Sequence, residues 1–172
     1  GFIQDKLGVG LAPDLKSVAE SVLKNPVTIA RSGNSTGKSH GAAHLALGFF
    51  ECFQGAQVYT AAAPPEDNLK IMLWGKIGEL VLRHPDIFGR YRASLAGMRI
   101  ERSPDQFVAG VTIPSSGRRE ERIARFSGKH APALFFIVDE GDAVPPEVYE
   151  GIESCMTGGF ARLLILFNPR IK

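Results

Sequence analysis

Apolar positions recur along the chain with two different periods. From Asp14, which can cap a helix, Leu15, Val18, Ala19, Val22 and Leu23 fall on one helical face, and Asn25-Pro26 stops the run. Val27-Thr28-Ile29-Ala30 is short and partly β-branched and predicts a strand. Residues 32–39 are small and predict a loop. From Lys38 to about Phe53, Ala42, Ala43, Leu45, Ala46, Leu47, Phe49, Phe50 and Phe53 cover most of the circumference of a helix, so that helix is expected to be buried on several sides. A strand follows at Gln57–Ala61. Pro64-Pro65 then opens a helix carrying Leu69, Leu73, Ile77 and Leu80, which ends near His84-Pro85.

The second half is richer in strands. Residues 86–97 carry no clear pattern. Met98–Arg102 and Phe107–Ile113 predict strands. Leu134-Phe135-Phe136-Ile137-Val138 is a continuous apolar run bounded by charge, as in a strand buried on both faces. A helix is expected from Pro146 to Met156, and Leu163-Leu164-Ile165-Leu166-Phe167 is another fully apolar strand. Strands alternating with helices define an α/β fold with a largely parallel sheet. No internal repeat or low-complexity block interrupts it.

Composition narrows the picture. The chain has 172 residues with 44% apolar and 22% charged, which fits one globular domain. Residues 1–13 are glycine-broken and read as an irregular lead-in. The charge of +2 excludes a polycation, so any nucleic-acid contact must come from a local patch. Two cysteines, Cys52 and Cys155, make no disulfide framework and are too few for a zinc site, which fits a reducing compartment. Both read as small buried residues. No apolar run approaches the roughly 20 residues of a membrane span. The start has neither a signal-peptide pattern nor an initiator Met, so a processed chain or a fragment of a longer one is expected.

Two segments carry candidate chemistry. Ser32-Gly33-Asn34-Ser35-Thr36-Gly37-Lys38-Ser39 follows a predicted strand and opens a predicted helix, the setting of a phosphate-binding loop. Backbone N–H groups and the helix N-terminus would receive the phosphates, Lys38 would reach the β- and γ-phosphates, and the Ser39 hydroxyl would bind Mg²⁺. Ser32 stands where the strict motif has its first glycine; Gly33 comes one place later. The bland alternative is a strand-to-helix turn that binds nothing.

The second segment, Phe135-Phe136-Ile137-Val138-Asp139-Glu140, is an apolar strand ending in two acids. Ligands of open α/β sheets bind outside the carboxyl ends of the strands. Asp139 is therefore expected to hold Mg²⁺ through water and Glu140 to act as general base on the attacking water. The bland alternative is a solvated turn. Asn168-Pro169-Arg170-Ile171 does not match a guanine-reading motif, so ATP is favoured over GTP.

Together these segments resemble the ATPase domain of the large terminase subunit of tailed bacteriophages, the DNA-packaging motor. The resemblance rests on Arg31–Ser39, on Phe126-Ser127-Gly128-Lys129-His130-Ala131 before the acidic strand and Val138–Pro145 at and after it, and on Leu166-Phe167-Asn168-Pro169, covering roughly residues 27–170. It implies an ASCE (RecA-like) P-loop NTPase fold, ATP and Mg²⁺ as ligands, and a γ-phosphate-sensing coupling role for Asn168. It also implies double-stranded DNA, a portal protein and a small terminase subunit as partners, a homo-oligomeric ring, and a virus-encoded protein of the host cytoplasm. Two departures stand out. Residues 14–24 offer no glutamine to contact adenine, and the chain stops at Lys172 before the acidic nuclease domain of the family, so no nuclease activity is expected of it.

Other residues have competing readings. Arg118, Arg119, Arg122 and Arg125 are candidates for an arginine finger (Arg119 or Arg118) or a DNA-contacting edge; the alternative is a solvated helix face with ion pairs such as Glu121–Arg125. His130 reads equally as a phosphate sensor or a structural turn residue. His40 and His44, four apart on a helix, lack an evident third metal ligand. Trp74 and the phenylalanines read as core. Two other functions remain open: a helicase-like ATPase, suggested by Asp139-Glu140-Gly141-Asp142, and a nucleotide-binding switch with little turnover.

Overall fold

The computed structural model describes residues 13–31 and 35–167. Among them, five helices, α1 (Pro13–Lys24), α2 (Ser35–Cys52), α3 (Trp74–Arg83), α5 (Arg119–Phe126) and α6 (Pro146–Glu153), and a short α4 (Pro85–Phe88) surround seven strands. The strands are β1 (Val27–Arg31), β2 (Ala56–Ala62), β3 (Arg92–Ser94), β4 (Arg99–Ser103), β5 (Gln106–Gly110), β6 (Ala133–Asp139) and β7 (Phe160–Phe167).

They form one sheet in the order β1-β7-β6-β2-β5-β4-β3. The β1, β7, β6, β2 and β5 neighbours pair parallel; β4 joins β5 and β3 joins β4 antiparallel. The largely parallel sheet expected from the sequence is present, extended by an antiparallel hairpin. β7 stands between β1 and β6, so the strand before the expected phosphate loop is one strand removed from the acidic strand.

Strand alternation divides the core into two layers. Val58, Ile100, Val108, Phe135, Ile137 and Leu164 meet α2 and α3 on one face. Tyr59, Phe107, Leu134, Phe136, Val138 and Leu163 meet α5 and α6 on the other. The alternation explains why β6 is apolar at six consecutive positions: both of its faces are covered, and all seven of its residues are buried. Phe50, Phe135 and Phe136 are each at most 1% exposed, and burial of such a side chain contributes about 1.5–3 kcal/mol. Trp74 is core, as expected; its Nε1–H donates to Thr60 Oγ1 at 2.9 Å.

Several boundaries differ from the sequence expectation. α2 begins at Ser35, inside the expected loop and three residues before Lys38, so tertiary context overrides the low helix propensity of Ser35, Thr36 and Gly37. The helix expected to open at Pro64-Pro65 begins at Asn68 with a π-helical stretch to Leu73. A proline disfavours the helical region for the residue before it, and Asn68 Nδ2 instead donates to the Ala63 carbonyl at 2.9 Å. β5 stops at Gly110, although Val111 N–H still reaches Thr60 O at 2.8 Å. The patternless stretch 86–97 holds most of α4 and the edge strand β3, all three of whose residues are exposed. No helix of the described residues is long and apolar enough to cross a membrane. Of the irregular lead-in expected at residues 1–13, Pro13 instead opens α1, since proline's fixed φ suits a first helical position, and residues 1–12 lie outside the described residues.

Candidate functional site

The parallel register brings strand ends together. Arg31 ends β1 opposite Phe167 at the end of β7, and Asp139 ends β6 opposite Ala62 of β2. α2, following β1, starts from this same carboxyl edge and carries Lys38 into it.

Lys38 Nζ lies 3.0 Å from Asp139 Oδ1 and 2.9 Å from Glu140 Oε1. The Lys38 and Asp139 side chains are 1% and 4% exposed, while Glu140 retains 34%. Ser39 is buried beside Lys38 in sequence. Residues 102 apart in sequence thus meet as one cluster, and the phosphate-loop lysine and both acids expected from the sequence belong to it.

Backbone geometry explains how consecutive acids both reach one ammonium. In an extended strand neighbouring side chains point to opposite faces. Glu140 leaves the strand in the left-handed region, with φ 53 and ψ 44, directly before the 3₁₀ turn Gly141–Ala143. That conformation costs a non-glycine residue roughly 1–2 kcal/mol. It places Glu140 Oε1 on Lys38, while the Glu140 N–H donates to Asp139 Oδ1 at 2.8 Å. The turn is packed tightly: a Cβ on Gly141 would lie 2.3 Å from Ile165 Cγ2. The Tyr149 hydroxyl donates to the Gly141 carbonyl at 2.7 Å.

The electrostatics follow from two carboxylates sharing one cation. Burial alone would lower the Lys38 pKa, but hydrogen bonds and charge from Glu140 and Asp139 outweigh it and raise the pKa. Burial pushes the Asp139 carboxyl up, against the pull of Lys38, whose charge is shared with Glu140. Lys38 is therefore a firmly protonated cation. The carboxylates on Lys38 and the hydroxyl of its sequence neighbour Ser39 are hard oxygens of the kind that suits Mg²⁺.

The remaining candidates divide. Ser32, Gly33, Asn34 and Asn168 lie outside the described residues, and Ser35 and Thr36 are described only as backbone of α2. Gly37 is exposed at the start of α2. Arg119 pairs with Glu150 of α6, Arg122 lies 3.6 Å from Glu147, and Arg125 Nη1 donates to Thr112 O at 2.9 Å. Three of the four clustered arginines thus brace neighbouring structure, on a helix as the bland reading expects, but through α6 and Thr112. Arg118 is exposed and has no side-chain partner among the described residues.

Two open readings are resolved and one expectation, at Cys52, changes. His130 is exposed and precedes β6, so it stands at the amino edge of the sheet; seven residues of strand, roughly 20 Å, separate it from the acidic end. That excludes it as a phosphate sensor in this structure. Cys155 is buried as expected, but Cys52 is exposed, because it falls at the last turn of α2 where the helix leaves the core. His40 and His44 do adjoin, with ring centroids 4.3 Å apart, but His44 Nδ1 is bonded to the His40 carbonyl at 2.8 Å. Among the described residues no group of three potential ligands could hold a metal ion.

A separate cleft of about 570 Å³ opens at the carboxyl ends of β2 and β5, lined by Pro64, Glu66, Thr112, Pro114, Ser115 and Arg125 among others. None of Lys38, Ser39, Asp139 and Glu140 lines it.

A lysine at the start of the helix after β1 thus faces an acidic pair at the end of β6 across an interposed parallel strand, in a mostly parallel α/β fold. The fold matches ATPase domains of phage large terminases. Against the HK97 bacteriophage large terminase the TM-score is 0.67 at 15% identity, covering 92% of this chain and 33% of that one. Against the Thermus phage P74-26 large terminase ATPase domain it is 0.67 at 21% identity, covering 97% and 68%. Against the large terminase of a further, thermophilic bacteriophage it is 0.65 at 14%, covering 94% and 40%. The chain thus spans about a third of the HK97 protein, and at these identities the likeness is one of fold. No protein-family model and no curated protein matches the sequence.

Proposed function

We propose that the chain is a single ATP-hydrolysing motor domain that powers translocation of double-stranded DNA into a viral procapsid. The observation that carries this reading is the buried contact of Lys38 with Asp139 and Glu140, set in a fold shared with large-terminase ATPase domains.

In this reading ATP enters at the start of α2, with residues 32–39 around its phosphates. Lys38 leaves the acids for the β- and γ-phosphates, where the transferred charge develops. Ser39 and, through water, Asp139 would hold Mg²⁺, which supplies charge neutralisation when bound. Departure of Lys38 frees Glu140 to accept a proton from the attacking water. Asn168 senses the γ-phosphate, and Arg118 or Arg119 acts as an arginine finger. The working assembly is a homo-oligomeric ring in the host cytoplasm, engaged with DNA, a portal protein and a small terminase subunit.

DNA-stimulated ATP hydrolysis tests the proposal. The expected result is Mg²⁺-dependent turnover that rises on adding duplex DNA. Nucleotide binding without turnover, with or without DNA, would instead indicate a switch.

A further inference from the structure

The segment from Arg90 to Ser103 carries Arg90, Arg92, Arg99 and Arg102 against one acid, Glu101, so 4 − 1 = +3, more than the +2 of the whole chain. The rest of the molecule is therefore slightly acidic. All four cations are arginines, whose planar fork suits phosphate oxygens.

The fold places this segment at the far end of the sheet, with Arg90 and Tyr91 in the turn leading into β3 and the rest forming β3, β4 and the turn between them. β3 is the last strand of the described sheet and pairs with β4. Arg92 and Arg102 are exposed and have no ion-pair partner among the described residues. Arg99 Cζ lies over the Phe107 ring, 4.0 Å from its centroid, and Arg99 Nε is 2.8 Å from Glu101 Oε2. Arg90 lies against Tyr91, with Glu51 at 3.9 Å. On the α5–α6 side the row continues inward from Phe107 to Tyr59, whose ring lies under Lys129 Nζ at 5.3 Å. Cations thus run across the sheet from β3 to the approach to β6.

Charged residues on an edge strand also discourage edge-to-edge pairing. That role needs a charge on β3 but does not account for an all-arginine excess spanning two strands and the adjoining face. By contrast, the arginines of α5 are largely engaged with α6 and Thr112.

We infer that the β3–β4 hairpin, through Arg92 and Arg102 with Arg99 and Lys129 behind them, is a docking surface for the phosphate backbone of double-stranded DNA. The choice of duplex DNA rests on the packaging reading above; the charge pattern itself specifies a polyanion.

The test is binding of a short DNA duplex to the full chain, by fluorescence anisotropy, across about 50 to 200 mM salt. The double variant Arg92→Glu/Arg102→Glu is compared with Lys16→Glu/Lys24→Glu on α1, which changes net charge equally. The hairpin variant is expected to bind at least about tenfold more weakly, with a salt slope shallower by roughly 2, as for two lost phosphate contacts. The α1 variant is expected to stay within about threefold of the parent. Basal ATP turnover without DNA stays unchanged in the hairpin variant. Should charge reversal prevent folding, Arg92→Gln/Arg102→Gln carries the same expectation at smaller size. Equal weakening in both reversal variants, unchanged DNA binding in the hairpin variant, a changed oligomeric state in place of changed DNA binding, or no DNA binding by the parent at low salt would each overturn the inference. Nucleotide binding, measured on the same preparations, reports separately on the ATPase reading.

Discussion

Lys38 Nζ stands 2.9 Å from Glu140 Oε1, so the proposed phosphate ligand and the proposed general base neutralise one another before nucleotide arrives. The contact joins the two halves of the site and ties up both. On the proposed reading ATP binding breaks it, and breaking it prepares both groups at once: Lys38 gains the phosphates, and Glu140 is released from its ion pair. A partly exposed Glu140 beside a buried Lys38 and Asp139 makes the glutamate the more easily displaced partner.

Lys38→Ala leaves Asp139 buried without its cation. Removing one member of a buried pair typically costs about 3–5 kcal/mol, and protonation of the already raised Asp139 makes the lower end the better expectation. The variant should melt several degrees lower and lose ATP binding. Lys38→Ala/Asp139→Asn, which removes the stranded charge, should recover much of the stability and none of the binding. Thermal melts with and without nucleotide check both; a double variant no more stable than the single would contradict the ion-pair account.

Glu140→Gln weakens the hold on Lys38 and removes the base. Turnover should fall about 10²–10⁴-fold, the usual contribution of a positioned general base. ATP binding should persist, and ADP should bind somewhat more tightly, because less attraction to the acids must be overcome. Using ADP keeps the affinity measurement free of hydrolysis. Normal turnover would remove Glu140 from the proposed role.

The acids and the lysine were legible in the sequence because their signals are local: an apolar run ending in Asp139-Glu140, and small residues before Lys38. The largely parallel sheet was legible from Leu134–Val138 and Leu163–Phe167, since strands covered on both faces must be apolar throughout. The left-handed turn at Glu140 was not, because nothing in Val-Asp-Glu-Gly requires it; packing of Gly141 against Ile165 and Tyr149 does. Of the hairpin, β4 was expected as Met98–Arg102, but β3 was missed for a related reason. β3 is short and wholly exposed, so it has no hydrophobic alternation to betray it. A charge count over residues 90–103 would have marked it.

His44 makes stability pH-dependent away from the site. It is 0% exposed, its Nδ1 is bonded to the His40 carbonyl, and its Nε2 has no hydrogen-bond partner among the described residues. Burial lowers its pKa below 6.5, so the unfolded chain takes up a proton before the folded one does. The contribution is present above pH 6.5 and lost as pH falls through the folded-state value. Its slope cannot exceed about 1.4 kcal/mol per pH unit for one proton. Urea unfolding from about pH 7.5 to 5 should show the parent losing more stability than His44→Gln. Parallel curves for the two would show that His44 does not couple.

Arg119 of α5 and Arg118 just before it predict a separation of structural and functional effects. Arg119, paired with Glu150 on a half-exposed surface, should contribute about 0–1 kcal/mol, so Arg119→Ala should lower the melting temperature slightly. Arg118→Ala removes an exposed side chain with no partner among the described residues and should not change melting. If Arg118 reaches the phosphates of a neighbouring subunit, Arg118→Ala should lose most DNA-stimulated turnover. Mixing it with inactive Lys38→Ala should restore part of that turnover: the Lys38→Ala subunit supplies an intact arginine, and the Arg118→Ala subunit an intact site. Turnover across a range of mixing ratios is the measurement. No recovery at any ratio would rule out action between subunits, and full activity of Arg118→Ala alone would return the finger to Arg119.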